Sequence, residues 1–476
     1  MRAPGITAKP RFSDAASSEI RTPARGFAQR VLPRGSTALA LVLVLVLAVT
    51  GCVGELGGGS TERSGSFGAG APSATLPTLG APVRADAAAE LGPPPMPGVD
   101  AGPAPATEPP PASEPPPAEP PATSPDPAPA RTPLPPLSVV FSHRPATDGD
   151  DTAVEDAVVS LIARAVPGSA IRIAVYTFTR NRVTDALVAA HVRGVDVQVV
   201  LDGGAGDGAG AEAPRLVAGL GAARVHLCDA PGTACVGSGI MHDKIFLFSE
   251  LDDGSREVVV QASHNFTTHQ LRLHNNAVIV AGDHALFAAY SRTFGDLLAD
   301  REIASYYRID DGDGPTRAYF FPRTDGDTVV SILGNVECDA TSRIRVAMAF
   351  FTDARDEVAR ALAARRAAGC SVEVVAGDDG IPLGDRVATI LRDGGVRVVR
   401  YPARSGGWGL HSKYMLIDAP YAGSGAHRRL VFTGSHNWTG PALTINDEAF
   451  LRIEDGAIFD AFLADWAHVA ESAVRP

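Results

Sequence analysis

Residues 53–137 lack the aromatic side chains that a folded domain needs. They contain a single aromatic residue, Phe67, and are dominated by Pro, Ala, Gly and Ser. Such a composition buries too little apolar surface to offset the chain entropy that folding removes. We therefore expect a disordered tether here, extended where prolines cluster. The chain that follows it is predicted to be globular.

The chain also lacks Lys- and Arg-rich runs with interleaved aromatic residues, and it is acidic. The formal net charge is −12; residues 1–52 carry +5 and residues 53–137 carry −6, which leaves −11 for residues 138–476. An acidic globular region disfavours a long surface that tracks a nucleic-acid backbone. A local basic funnel, for example around Arg428 and Arg429, is still compatible with this charge.

Cysteines are few, and no Cys/His cluster has the spacing of a zinc site. Cys228 and Cys235 flank a short loop. They form either a disulfide or two independent thiols, and both interpretations remain open. Cys338 and Cys370 lie in apolar surroundings, where we expect small buried hydrophobic residues.

Residues 1–52 are organised like an export signal. Arg30 and Arg34 precede an apolar run, residues 38–49, which ends just before Cys52. A basic region, a short apolar run and small residues before a cleavage point are typical of export, and the run is short for a membrane-spanning helix. The Cys resembles that of bacterial lipoproteins, which implies lipidation of Cys52 and anchoring to a membrane of the cell envelope, facing the periplasm or the cell surface. An ordinary signal peptide and an N-terminal anchor helix are the alternatives.

The globular region contains an internal repeat. The sequence IRIAV at residues 171–175 recurs as IRVAM at residues 344–348, and a helical stretch and a second β-branched run follow each copy. This alternation predicts βαβ units. The predicted fold class is α/β, with two homologous α/β/α sandwich domains whose mixed, largely parallel sheets are related by a pseudo-twofold axis. We place the first domain at residues 138–310 and the second at residues 311–476.

Each repeat carries a His-x-Lys motif and, further on, a Ser-His-Asn motif. These are His242 and Lys244 with Ser263 and Asn265, and His411 and Lys413 with Ser435 and Asn437. Because residues i and i+2 of a strand share a face, each imidazole and ammonium should project together. A single His-x-Lys is weak evidence, but two copies in homologous domains are a specific pattern.

These side chains suit a phosphoryl-transfer site. If the halves pack about a pseudo-twofold axis, the lysines supply charge and the asparagine amides supply donors for a phosphate. One imidazole attacks phosphorus and the other protonates the leaving oxygen; water then releases the phosphohistidine. This chemistry requires no metal and no other cofactor.

At these residues the sequence resembles the phospholipase D superfamily, whose signature is His-x-Lys-x4-Asp followed by Gly-Ser-x-Asn. The resemblance covers residues 150–472, and the second half matches in full through Asp418 and Gly434. In the first half Ser249 replaces the Asp and Ala262 replaces the Gly. That Asp is regarded as structural in the family, so we expect Ser249 to affect stability or positioning rather than chemistry.

The resemblance also implies different roles for the two histidines. In the family, an acidic or amide residue after the second motif reaches the histidine of the opposite half. The repeat aligns Glu448 with Asn276, so Glu448 is expected to orient His242 and Asn276 to contact His411. A carboxylate fixes the tautomer and stabilises the developing imidazolium. We therefore predict His242 as the nucleophile and His411 as the general acid and base.

Several further residues are candidates for substrate contact. Ser263 and Ser435 hold either phosphate or their own loops, and both interpretations stand. Trp408 lies in a Gly-rich segment just before His411, where a flexible loop could cover substrate. His264 and His436 either line the pocket or pack their loops.

The predicted function is phospholipase D activity, the hydrolysis of phospholipid headgroup esters. Export, tethering to a lipid surface and an acidic domain favour phospholipid over nucleic acid. An exported endonuclease of the same superfamily is the first alternative, and a catalytically idle lipid- or envelope-binding lipoprotein is the second. Two motifs in one chain mean that no oligomer is required for one site.

Overall fold

The computed structural model describes residues 131–204, 212–229, 232–303, 306–378, 380–402 and 407–474. The predicted export signal, the lipidation site Cys52 and nearly all of the predicted tether lie outside these residues.

The first half of the described chain contains seven strands and four helices. Their bounds are β1 Leu137–Ser142, α1 Ala153–Arg164, β2 Ala170–Val175, α2 Asn181–Val192, β3 Asp196–Leu201, α3 Glu212–Leu220, β4 Val225–Leu227, β5 Lys244–Glu250, β6 Arg256–Ala262, β7 Leu273–Val280 and α4 His284–Ala299. The strands lie in the order β1-β7-β6-β5-β2-β3-β4.

The second half repeats this arrangement with some additions. Its elements are β8 Arg308–Asp311, β9 Thr316–Phe321, α5 Thr328–Gly334, β10 Arg343–Met348, α6 Asp356–Ala367, β11 Ser371–Gly377, α7 Asp385–Asp393, β12 Arg397–Tyr401, β13 Gly409–Leu410, β14 Lys413–Pro420, β15 His427–Gly434, α8 Gly440–Thr444, β16 Glu448–Ile453 and α9 Gly456–Val474. The second sheet has the order β12-β11-β10-β14-β15-β16-β9-β8. Strand β13 instead pairs with β7 of the first half.

Both sheets are mixed, which confirms the predicted α/β class with two similar halves. Parallel pairing occurs in β2-β3-β4, in β10-β11-β12 and between β13 and β7. The other strand pairs are antiparallel, so the expectation of largely parallel sheets was wrong. Helices connect most of these parallel strands, as parallel pairing requires, whereas short connections join β5 to β6 and β14 to β15 and make them antiparallel.

Among the described residues, apolar side chains form three clusters, one between the sheets and one on each outer face. The central cluster combines residues of both halves, including Leu247 and Leu416, with Phe294 of α4 and Phe462 of α9. The outer clusters pack each sheet against its own helices. Because the central cluster draws on both sheets, the two halves share a core.

Helices follow from amphipathic spacing and from capping. In α1 the buried apolar residues recur at Val154, Val158, Leu161 and Ile162, which places one stripe against the sheet. Asp283 caps α4 by accepting from Leu286 N, which satisfies a backbone donor that the helix itself leaves unpaired.

Both cysteine pairs of the described chain are disulfide-bonded. Cys228 bonds to Cys235, one of the two interpretations that the sequence left open, and Cys338 bonds to Cys370. The prediction that the latter two are independent buried thiols was wrong. They meet because β10 and β11 are parallel neighbours and pair Arg343 with Ser371 at their first residues.

Among the helices of the described residues, none combines the length and the apolar character needed to cross a membrane.

Replacing both Cys338 and Cys370 by alanine should lower the free energy of unfolding by about 3 kcal/mol, because a long loop then becomes unconstrained in the unfolded chain. The bond links residues 32 positions apart. Urea unfolding of wild type and variant under oxidising conditions measures the difference. Under reducing conditions the two proteins should converge, and an unchanged midpoint in oxidising buffer would contradict the prediction.

Candidate active site

Each half presents its His-x-Lys motif at the start of a central strand. Lys244 is the first residue of β5 and Lys413 the first residue of β14, and each histidine lies two positions earlier. Strand β5 lies between β6 and β2, and β14 between β15 and β10. The lysines therefore begin strands in the middle of their sheets.

The backbone of each histidine pairs with the opposite half. His242 N donates to Asp447 O at 2.9 Å, and His411 N donates to His274 O at 3.0 Å. This reciprocal exchange is what a pseudo-twofold relation requires. It brings both motifs to one shared centre.

The four motif side chains form one buried cluster. His242 is 6% exposed and His411 7%, while Lys244 and Lys413 are fully buried. Burial, reinforced by the charges of both lysines, holds the pKa of each histidine well below its usual value. Both imidazoles are thus favoured in the neutral form, in which a ring nitrogen can act as nucleophile or base.

Burial also acts on the lysines. It lowers the pKa of Lys244 to about 7 although Glu448, Asp243 and Asp202 oppose the shift. The pKa of Lys413 is lowered well below its usual value by burial and by the charge of Lys244. An anion bound between the two ammonium groups would relieve this cost, so the centre is built to accept negative charge.

Asn265 and Asn437 follow β6 and β15 and are 6% and 5% exposed. Their side-chain oxygens are buried and have no hydrogen-bond partner among the described residues. Each amide oxygen therefore keeps acceptor capacity at the centre, and donation from the amide nitrogens to a phosphate stays a prediction.

Glu448 holds His242, the pair expected from the sequence. Its Oε2 lies 2.8 Å from His242 Nδ1 and accepts from Ser435 Oγ at 2.5 Å. Burial raises the pKa of Glu448 to about 8, against the lowering effect of Lys244. Because Nδ1 is engaged, Nε2 is the ring nitrogen of His242 that remains for a substrate. The part of Glu448 in catalysis stays a prediction.

The partner of His411 is Asn275 and not Asn276, which corrects the alignment of the repeats. Asn275 Oδ1 lies 3.0 Å from His411 Nδ1, whereas Asn276 Oδ1 accepts from Thr433 Oγ1 at 2.9 Å. The backbone shows the register: Ser263 N donates to Asn276 O as Ser435 N donates to Ala449 O. A slip of one residue in a strand moves a side chain to the other face.

The two motif serines hold the side chains that contact the histidines. Ser263 Oγ donates to Asn275 Oδ1 at 3.0 Å, as Ser435 Oγ donates to Glu448. Both serines are fully buried. These contacts support the structural interpretation of the two that the sequence left open, and a contact of either serine with phosphate stays a prediction.

Trp408 is buried, with only 2% of its surface exposed, which corrects its expected place in a flexible covering loop. Its indole Nε1 donates to Gly149 O at 3.1 Å, and its ring lies 5.2 Å from that of His274. Trp408 thereby packs against the segment that pairs with His411.

Ser249 lies at the far end of β5 from Lys244, and its Oγ accepts from Ala170 N at 2.8 Å. The corresponding Asp418 contacts His427 Nδ1 at 2.8 Å. Both positions serve local contacts away from the histidines, which fits the expected structural role.

Sequence reasoning missed Tyr176 and Asp447. The ring of Tyr176 lies 5.0 Å from that of His242, and Lys244 Nζ lies 5.2 Å from its centroid. The carboxylate of Asp447 accepts from Cys235 N at 2.7 Å and Gly237 N at 2.6 Å, which fixes the loop that leads to His242. The repeat itself carried a signal for both residues, because Tyr176 stands where the second half has Ala349, and Asp447 stands where the first half has His274.

His264 and His436 are fully buried, and no hydrogen-bond partner is found in the described chain for any of their ring nitrogens. Each packs against aromatic rings, His264 against Phe266 and His436 against Phe321. Both interpretations of these histidines, pocket lining and loop packing, remain compatible with these contacts.

One group of metal-ligand residue types occurs in the described part of the chain: His226, Cys228, Cys235 and Asp300. Its two sulfur atoms are bonded to each other, which removes them as thiolate ligands. This disulfide closes part of the loop that precedes His242.

The reciprocal His–Lys centre between two similar α/β halves defines a two-motif phosphoryl-transfer site. A family model, "Cardiolipin synthase, PLD-like domain", matches residues 158–298 and 338–469, which is more than half of the chain. The chain therefore belongs to this phospholipase D-like family. Membership supports phosphoryl-transfer chemistry and leaves the substrate undetermined.

No curated protein matches the chain. Among solved structures it is similar to phosphatidylserine synthase of Haemophilus influenzae Rd KW20, with 12% identity over 71% of this chain and 86% of that one and a TM-score of 0.49. It is similar to polyphosphate kinase of Porphyromonas gingivalis, with 17% identity over 70% of this chain and 46% of that one and a TM-score of 0.48. A shorter match is to Nuc, a phospholipase D family member of Salmonella typhimurium, with 26% identity over 34% of this chain and 93% of that one and a TM-score of 0.25.

Replacing Asn275 by alanine should lower kcat on a phosphodiester about a hundredfold, because His411 loses the contact that orients its ring. Asn276→Ala is the matched control, since it removes the neighbouring amide without touching His411. This control variant should lower the melting temperature, and it should lower kcat much less than Asn275→Ala does. A larger kinetic loss in Asn276→Ala than in Asn275→Ala would contradict the register that the structure shows.

The value of kcat/KM should fall as the pH rises through about 7, because burial lowers the pKa of Lys244 to about 7 and the uncharged amine no longer attracts phosphate. On the acid side the nucleophile should stay available, because the pKa of His242 lies well below its usual value and the ring stays neutral. A pH profile of kcat/KM reports the free enzyme. Activity that is constant to well above pH 7 would contradict the role of Lys244.

Proposed function

We propose that the protein is a metal-independent phosphodiesterase, a phospholipase D that hydrolyses phospholipid headgroup esters through a phosphohistidine. The observation that carries the proposal is the unequal support of two otherwise equivalent histidines. His242 contacts the carboxyl group of Glu448, and His411 contacts an amide.

In the first step His242 Nε2 attacks phosphorus, and the bond from phosphorus to the headgroup oxygen breaks. His411 donates its proton to that oxygen, so the headgroup leaves as an alcohol. Glu448 stabilises the positive charge that forms on His242. The ammonium groups of Lys244 and Lys413 stabilise the negative charge on the phosphoryl oxygens.

In the second step His411 takes a proton from water, and the resulting hydroxide attacks phosphorus. The bond between phosphorus and His242 breaks, and phosphatidic acid leaves. Burial and two nearby ammonium groups lower the pKa of His411, whereas a bound phosphate opposes that effect. The ring can therefore be protonated with substrate bound and give up its proton readily as the headgroup departs.

Phospholipid is the proposed substrate for two reasons. The family description names cardiolipin synthase, a lipid enzyme, and residues 138–476 carry a net charge of −11, which disfavours a polyanion. The arginines considered for a basic funnel are ion-paired, Arg428 with Glu454 and Arg429 with Asp460. Nucleic acid is kept as the alternative outcome of the test below.

The proposed location is the cell envelope, with the protein exported and held to a membrane by a lipid on Cys52. This part of the proposal is supported by the sequence of residues 1–52 alone. The stretch from residue 53 to residue 137 would then separate the catalytic domains from the anchor.

The function is tested by incubating the purified full chain, in chelator, with phosphatidylcholine in detergent micelles and separately with single-stranded DNA. Wild type should release choline and phosphatidic acid. His242→Ala and His411→Ala should each lose activity by at least about a hundredfold, the usual contribution of a positioned acid or base.

A reaction with phosphorus-labelled lipid, quenched in alkaline detergent because a phosphohistidine is labile in acid, assigns the roles. Label should remain on the protein in wild type, should be absent in His242→Ala, and should still form in His411→Ala when the leaving group is a good one. If DNA is cleaved while the lipid stays intact, the proposed substrate changes to nucleic acid and the proposed chemistry is unchanged. Activity on neither substrate, or full activity in both variants, would overturn the proposal.

A further inference from the structure

A second cationic cavity lies in the second half, away from the histidines. It has a volume of about 500 Å³, and its lining includes Arg317, Arg323, Arg428, Arg452, Tyr319 and Tyr421. Arg452 lies on the same strand as Glu448, four residues further along, which is about 13 Å at the rise of a β-strand. The cavity therefore lies toward the opposite end of β16 from the catalytic centre.

Three of the four arginines already have carboxylate partners. Arg317 pairs with Asp311 and Arg428 with Glu454, and Arg323 Nε lies 3.7 Å from Asp325 Oδ1. These pairs fix the guanidinium groups at the cavity. Arg323 also donates to Thr328 Oγ1 at 3.1 Å.

Arg452 differs from the other three arginines. In the described part of the chain it makes no ion pair and no hydrogen bond, and its Nε is buried without a partner. Strand pairing sets Arg452 between Phe432 of β15 and Arg317 of β9. A buried donor without a partner is costly, so the position is suited to an acceptor supplied from outside the chain.

The walls of the cavity are aromatic. Tyr319 and Tyr421 are 5% and 6% exposed, and the guanidinium carbon of Arg428 lies 5.7 Å from the centroid of the Tyr421 ring. Burial raises the pKa of Tyr319 to about 12, so its phenol stays neutral. The cavity thus offers apolar surface beside its charges, and its volume exceeds that of a bare ion.

We propose that this cavity is a second binding site, which takes the phosphate group of an ester that also carries an apolar or aromatic part. Guanidinium groups converge on it from β9, β15, β16 and the segment after β9, which suits an anion with several oxygens. A soluble phosphate ester and the headgroup of an acidic lipid share this chemistry. The site is separate from the proposed active site and does not depend on the proposed function.

The test uses phenyl phosphate as the probe and the full chain. Calorimetric titration of wild type should show two binding events, one at each site, and Arg452→Gln should lose one of them or weaken it about tenfold. Arg360→Gln, which removes an exposed arginine of α6, is the matched control and should retain both. Inhibition of phosphodiester cleavage by phenyl phosphate should have the same inhibition constant in all three proteins.

A second variant guards against misfolding. Ile309 lines the cavity and is 50% exposed, so Ile309→Glu should fold and should repel the phosphate. Ile381 is 42% exposed and is not among the residues that line the cavity, so Ile381→Glu is its control. Equal binding of phenyl phosphate by Arg452→Gln, Ile309→Glu and wild type would overturn the proposal, whether wild type shows one binding event or two.

Sedimentation with phosphatidylcholine vesicles, with and without phosphatidic acid, distinguishes the two sources of the ligand. Sedimentation that requires phosphatidic acid in the vesicles, and that Arg452→Gln loses, would identify a lipid headgroup as the ligand. Sedimentation that is equal in both proteins, together with loss of the phenyl phosphate event, would identify a soluble ester.

Discussion

The burial of two ammonium groups in one centre is the constraint on which the rest of the structure depends. Lys244 and Lys413 are fully buried, and low polarity around an ammonium favours its neutral form. The carboxylate that does most to restore the charge of Lys244 is Glu448, which comes from the other half of the chain. The first half alone cannot hold its lysine in this way, whereas Lys413 has Glu448 in its own half. The shared core and the reciprocal backbone contacts at His242 and His411 follow from that need.

A duplicated scaffold has equal halves, whereas displacement at phosphorus needs unequal ones. The two halves differ in their side chains at the centre, whereas their backbone hydrogen bonds are equivalent. Matching hydrogen bonds show that Glu448 and Asn275 occupy equivalent positions in the two halves, as do Asp447 and His274. The carboxylates thus lie on the side of His242, where positive charge would form on a nucleophile, and an amide lies on the side of His411, which would release a proton. Two further substitutions, Tyr176 for Ala349 and Asp243 for Ser412, make the same side of the centre more polar.

The fold class, the repeat and the paired motifs could be predicted from sequence because they are local patterns that occur twice. The partner of His411 could not, since aligning Asn276 with Glu448 is wrong by a single residue and only the observed strand register decides between neighbouring asparagines. The bond between Cys338 and Cys370 depends on two parallel strands lying side by side, which no spacing within one segment encodes. Trp408 follows glycines typical of a loop, yet it is buried because β13 crosses to pair with the first half.

Net charge is a poor guide to the local potential of this protein. Residues 138–476 carry a net charge of −11. They nonetheless place two lysines at the His–Lys centre and four arginines around one cavity. Its exposed arginines are largely neutralised by adjacent carboxylates, as Arg429 is by Asp460, so they add little to long-range attraction of a polyanion. Electrostatic attraction is therefore short-ranged and acts on an anionic group that has already entered the His–Lys centre or the arginine cavity. Since His242 and His411 are only 6% and 7% exposed, a phosphodiester must enter the centre before either imidazole can reach its phosphorus.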